Sequence, residues 1–130
     1  MNSDLADMVN EAKEKLILHW NCRGLTEIPE AIRTVGHHVE EIYLKWNSLK
    51  TLPSWISDFS NVTNLYLYAN EIITLPIELG SMEKLTVLDL SANKLLEIPH
   101  CIGNLKNLRS LLLNQNYIKY LPSGIYYFLK

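Results

Sequence analysis

Hydrophobic positions along this chain follow a pattern that recurs every 23 residues. Its most regular copy is LTVLDLSANKLLEIPHCIGNLKN, Leu85 to Asn107. VEEIYLKWNSLKTLPSWISDFSN (residues 39–61), VTNLYLYANEIITLPIELGSMEK (62–84) and LRSLLLNQNYIKYLPSGIYYFLK (108–130) align on it without a gap. Residues 15–38 form a degenerate first copy, one residue longer, with Leu18, Trp20, Leu25, Ile28 and Pro29 in template positions and Arg23 where the others have Asn. A self-similar period of this length is the signature of a stacked-repeat architecture, in which an atypical terminal unit is expected.

Each part of the pattern has a local reading. Leu88 and Leu90 alternate as a short strand requires, sending both side chains inward while Val87, Asp89 and Ser91 point out. Stacked copies then make a parallel sheet. Asn47, Asn70, Asn93 and Asn116 end the strands, where an amide can bond the backbone groups that a turn leaves open. Leu49, Ile72, Leu95 and Ile118 return to the core, followed by Leu52, Leu75, Ile98 and Leu121, each directly before a Pro that sets the return path. Ile56, Leu79, Ile102 and Ile125, then Phe59, Met82, Leu105 and Phe128, fill the back side. The short interval between them suits a turn of helix or 3₁₀ structure. Before the first copy, Leu5, Met8, Val9 and Ala12 recur at helical spacing, with acids early and lysines late, which predicts an amphipathic helix over residues 3–14 capping the open end of the stack.

The shared LxxLxLxxNxLxxLP motif, in register through five copies from about Lys15 onward, resembles the leucine-rich-repeat family. The LPxxIGxLxxL-type connections resemble its intracellular 23-residue class, that of Ras-suppressor, Scribble-like and plant Ras-group repeat proteins. The resemblance implies an α/β solenoid forming a single domain, a right-handed arc with the parallel sheet on its concave side and short turns on the convex side. It also implies a role in holding other proteins.

Composition narrows the function further. A net charge of −2 and a pI near 6.1 provide no basic field for nucleic acid or an anionic membrane. No run approaches the roughly 20 apolar residues that span a bilayer. The acidic start lacks the features of a signal peptide. Cys22 and Cys101 lie in different repeats, so a disulfide is not expected and both thiols read as free, which suits a cytoplasmic setting. No phosphate loop, nucleophile elbow or HExxH is present, and no cofactor or metal is expected. His37 and His38 read as a solvated loop, and Cys22 near His19 as a free thiol by the cap. The chain therefore reads as a non-enzymatic module.

Its information lies on the outward strand positions, which the core does not dictate. Down the stack these give the columns His19, Tyr43, Tyr66, Asp89, Leu112; Asn21, Lys45, Tyr68, Ser91, Asn114; Cys22, Trp46, Ala69, Ala92, Gln115; and Ile17, Glu41, Asn64, Val87, Ser110. Tyr43, Trp46, Tyr66 and Tyr68 must cluster within two adjacent repeats, and aromatic residues of this kind dominate interface energetics. Lys45, Glu41 and Asp89 supply a polar rim, and Leu112 extends the face. The competing reading is that the tyrosines only stabilise the sheet by stacking. The expected function is a protein–protein interaction module binding on the concave sheet. The alternatives are a regulatory or substrate-recognition adaptor in a signalling or ubiquitin-ligase assembly, and the leading part of a longer repeat scaffold. The aromatic end at Tyr126, Tyr127, Phe128 and Leu129 has no polar cap, which raises self-association through the last repeat.

Overall fold

A computed structural model describes residues 3–122, and the expectations placed on Ile125, Phe128 and the aromatic end lie outside them. Five strands of three residues each, β1 (Ile17–His19), β2 (Glu41–Tyr43), β3 (Asn64–Tyr66), β4 (Val87–Asp89) and β5 (Ser110–Leu112), form one parallel sheet in sequence order. Its register pairs equivalent repeat positions: Leu18 lies beside Ile42, Ile42 beside Leu65, Leu65 beside Leu88 and Leu88 beside Leu111. The strands are short because the alternation runs through only two inward residues, such as Leu88 and Leu90, before the chain turns. Backbone pairing nevertheless continues beyond them, with Leu44 N–H donating to Tyr66 O at 2.8 Å and Leu67 N–H to Asp89 O at 2.8 Å.

The interior is one continuous apolar layer. Leu18, Ile42, Leu65 and Leu88 from the strands, and Trp20, Leu44, Leu67 and Leu90 two residues later, are all fully buried or nearly so. On the opposite side the chain returns through 3₁₀ turns at Glu30–Ile32, Ser54–Asp58, Ile77–Ser81 and His100–Asn104, each entered through an extended proline. The proline carbonyl accepts the N–H of the buried Ile32, Ile56, Leu79 or Ile102 at 3.1–3.2 Å. Proline suits this place because its fixed φ sets the entry and its missing donor is not needed at the start of a turn. Leu75, Ile118 and Leu121 pack against the core but are only partly buried. The last two 3₁₀ turns stack so closely that a Cβ on Gly80 would meet the Cys101 carbonyl oxygen at 2.5 Å. Glycine is required there for space.

Asn47, Asn70, Asn93 and Asn116 form the expected ladder. The Asn70 side-chain oxygen accepts the N–H of Leu49 in the preceding coil at 3.0 Å, and its amide donates to Leu44 O at 2.9 Å and to its own coil's Leu67 O at 3.0 Å. Asn93 repeats this with Ile72 N–H, Leu67 O and Leu90 O, and Asn116 with Leu95 N–H, Leu90 O and Leu113 O. Asn47 accepts from both Arg23 N–H and Leu25 N–H.

Helix α1 (Ser3–Glu14) lies at the open end against the first 3₁₀ turn, burying Met8 and Ala12 and half-burying Leu5 and Val9. Its docking uses polar groups that hydrophobic periodicity does not reveal. Glu11 accepts the indole N–H of the fully buried Trp20 at 2.8 Å, and the Arg23 guanidinium lies 3.5 Å from Glu11 and 3.8 Å from Asp4. At the join between the first two coils the expected solvated loop is half right: His37 is exposed, but His38 is half-buried. Its Nε2 is buried without a hydrogen-bond partner among the described residues. The chain re-enters the core at the fully buried Val39, and the adjacent residue is drawn in with it.

Two stability outcomes follow. Asn93→Ala leaves the Ile72 N–H without its acceptor and takes one of two amide donors from each of the Leu67 and Leu90 carbonyls, and is expected to lower unfolding free energy by about 1–3 kcal/mol in urea titration, the cost of one unsatisfied buried group. Glu11→Leu orphans the Trp20 indole and is expected to cost about 1–3 kcal/mol, whereas Glu11→Gln keeps an acceptor and recovers most of it. Equal losses from the two Glu11 variants would remove the indole bond from the docking of α1.

Candidate interaction surface

Parallel register places His19, Tyr43, Tyr66, Asp89 and Leu112 side by side on the outer face of the sheet. Adjacent strands run about 4.8 Å apart, close to the separation that stacked aromatic rings prefer. The rings accordingly stack: Tyr43 on Tyr66 with centroids 4.5 Å apart at 17°, and His19 on Tyr43 at 5.2 Å and 23°. The Lys45 ammonium lies over the Tyr66 ring, 5.0 Å from its centroid.

Both phenols are tied back along their own strands. Tyr43 O–H donates to Glu41 Oε1 at 3.2 Å, and the Asn64 amide donates to the Tyr66 oxygen at 2.8 Å. The Tyr43 phenol is held above its ordinary pKa, first by burial, then by the negative charge of Glu41 and by Tyr66, and further by hydrogen bonds to both. The stack thus has structural work of its own, which makes the sheet-stabilising reading of Tyr43 and Tyr66 part of the picture.

Trp46 differs. The column Cys22, Trp46, Ala69, Ala92 and Gln115 lies beyond the ends of the strands, and all five residues adopt a left-handed backbone with φ between 55° and 61°. The ladder explains the geometry. The N–H groups of Cys22, Trp46, Ala69 and Ala92 still donate across to the next coil, as Trp46 does to Tyr68 O at 3.0 Å, while the chain must turn so that the following Asn reaches inward. A bulky residue rarely takes this conformation. The indole packs edge-on to Tyr68, with centroids 5.5 Å apart at 74°, and remains 61% exposed.

The expected rim is only partly present. Glu41 and Lys45 are half-buried around the stack, but Asp89 is buried, with 7% exposure, and does not serve as an accessible rim charge. Its carboxylate accepts both the backbone N–H of Ser91, at 3.0 Å, and the Ser91 hydroxyl, so the strand end closes on itself. Leu112 is 42% exposed on the same face. The aromatic residues and Lys45 therefore come together on β2, β3 and the turns after them, whereas Asp89 is withdrawn. Cys22 is an exposed free thiol and Cys101 a half-buried one, whose pKa burial raises. A pocket of about 360 Å³ between α1 and the first coil, bordered by Met8, Gly24 and Glu27, includes none of these face residues.

A family model described as leucine rich repeat matches residues 60–118. Among solved structures the chain is similar to a leucine-rich-repeat protein of Leptospira interrogans, at 27% identity and a TM-score of 0.70, over 98% of this chain and 38% of that one. It is also similar to the leucine-rich repeat domain of the type III effector XopL, at 24% identity and a TM-score of 0.85, over 96% of this chain and 46% of that one. An internalin from Listeria monocytogenes shares the fold at 23% identity and a TM-score of 0.62, over 71% of this chain and 26% of that one. The chain spans less than half the length of each of these solved chains. No curated protein matches it.

The Tyr43 environment predicts a pH response. A phenol whose folded pKa is raised stabilises the fold fully below the unfolded value near 10.0, and that contribution is lost as pH rises through the higher folded value. In a titration followed by NMR at the Tyr43 ring, Glu41→Gln is expected to lower the pKa of that phenol while leaving it above the ordinary range, because burial is the larger cause. An unchanged curve would separate Glu41 from that phenol.

Proposed function

The chain is a leucine-rich-repeat protein, and from that premise we propose that the outer, concave face of its sheet holds a protein partner. Domains of this fold are generally non-enzymatic interaction modules. The mechanism is complementarity on a surface ordered before binding, which lowers the entropy cost of association. The observation that carries the reading is Trp46. It places a large aromatic surface in solvent, in a backbone conformation that equivalent coils fill with Ala69 and Ala92. Tyr68 supports it from beneath, Tyr43 and Tyr66 form the floor beside it, and Lys45, Glu41 and Leu112 border the site.

Two narrower readings use the same chain. An adaptor or longer scaffold would present this face to a substrate protein while another segment recruits a catalyst. Self-association through the last repeat is supported by Tyr117 and Tyr120, which are 64% and 81% exposed in the last described coil. Free thiols at Cys22 and Cys101 support a cytoplasmic setting.

The clean test is Trp46→Ala. Alanine already occupies the same backbone conformation at two equivalent positions, so the thermal midpoint is expected to stay within a few degrees. Tyr66→Ala is less suitable because it removes a stacked ring and a hydrogen-bonded phenol. In affinity capture from cell extract with wild type and variant in parallel, a protein retained by the first and lost from the second supports the site. Retention by both would place binding elsewhere.

A further inference from the structure

The charges on the open face are unequally committed. Glu41 accepts the Tyr43 hydroxyl, and Asp89 is buried and held by two donors from Ser91. Lys45 takes part in none of the ion pairs among the described residues: Arg23 is engaged by Asp4 and Glu11, Arg33 by Asp58 and Lys94 by Glu71. Lys45 has the Tyr66 ring beneath its ammonium and no carboxylate against it. The next residue is Trp46, whose indole is engaged edge-on by Tyr68 and otherwise open.

These features select a partner chemistry. An incoming Arg or Lys would meet Lys45 and find the ring stack already occupied, since Tyr43 is sandwiched between His19 and Tyr66. An incoming carboxylate completes an ion pair for an ammonium that lies over the Tyr66 ring and has no carboxylate partner among the described residues. Because Lys45 and Trp46 are consecutive, their Cα atoms are about 3.8 Å apart. The acidic residue and the apolar residue that covers the indole must then be close neighbours in the partner. Resting on the reading of the face as a binding surface, we propose that it recognises an acidic peptide segment. In that segment an Asp or Glu pairs with Lys45, and an aromatic or branched aliphatic side chain within one or two residues covers Trp46.

The test is selection of phage-displayed random 12-residue peptides on the immobilised full chain, in wild-type, Lys45→Glu and Trp46→Ala forms, with thermal melts confirming that each is folded. Wild type is expected to enrich peptides joining an acid to an aromatic or branched residue, and Lys45→Glu to replace that acid with Lys or Arg. A fluorescein-labelled wild-type-selected peptide is expected to lose at least tenfold in affinity with either variant, and to weaken as salt rises from 50 to 500 mM. If Lys45→Glu still binds that peptide within twofold while Trp46→Ala loses it, the acidic segment is wrong but the binding face stands. Binding that neither variant changes overturns both. Failure of wild type to enrich any acidic peptide overturns the acidic-segment proposal.

Discussion

The amide of the repeated asparagine is the interaction on which the rest of this structure depends. Each one bonds the preceding coil through both ends of its side chain and its own coil through a further N–H, as Asn70 does with Leu49, Leu44 and Leu67. The Leu49 N–H depends on this amide alone, and the Leu44 and Leu67 carbonyls each accept from two successive asparagines, so the ladder runs unbroken from coil to coil. Because an unpaired buried group is costly, the amide couples each coil to its neighbour in addition to the apolar contacts beneath it. Nearest-neighbour coupling of this kind is what makes a solenoid cooperative without a central core.

The first coil shows what happens where that coupling runs out. No coil precedes it, so an asparagine at Arg23 would have no upstream backbone to bond. Arg23 instead sends its guanidinium toward Asp4 and Glu11 of α1, while its backbone N–H is taken by Asn47 of the next coil. The larger Trp20 occupies the position that Leu44, Leu67 and Leu90 fill elsewhere, and its indole N–H is closed by Glu11. Helix α1 therefore supplies both the apolar cover and the hydrogen-bond partners that another repeat would have supplied.

The fold was legible in the sequence because its determinants are periodic: leucines at interior positions, asparagines at the turn and prolines at the return all recur at one interval. The site was legible as a composition of columns and less so as geometry. Tyr43 and Tyr66 meet as their shared column requires. Trp46 does not extend a strand, because the inward reach of Asn47 turns the chain one residue earlier, a constraint carried by backbone conformation and not by hydrophobicity. Asp89 was misplaced on the rim because a one-dimensional pattern assigns a side chain to a face without showing that Ser91, two residues on, folds back to bond it. Glu11 carried no periodic signal at all, since its role is to satisfy a single indole.

Comparing occupants of equivalent positions separates what the fold requires from what it permits. The left-handed turn recurs five times with φ values within a few degrees, so the backbone demands the conformation and not the residue. Ala69 and Ala92 show that a methyl group suffices. The indole of Trp46 adds bulk to a conformation that already disfavours side chains, and gains an edge contact with Tyr68 while leaving most of its surface in water. Nothing in the stacking of coils accounts for it. Tyr43 and Tyr66, by contrast, support each other in the sheet and would be accounted for by packing alone. The distinction assigns the ring stack to the packing of the sheet itself and leaves Trp46 as the aromatic residue that this packing does not require, which is why the proposed binding face is centred on it.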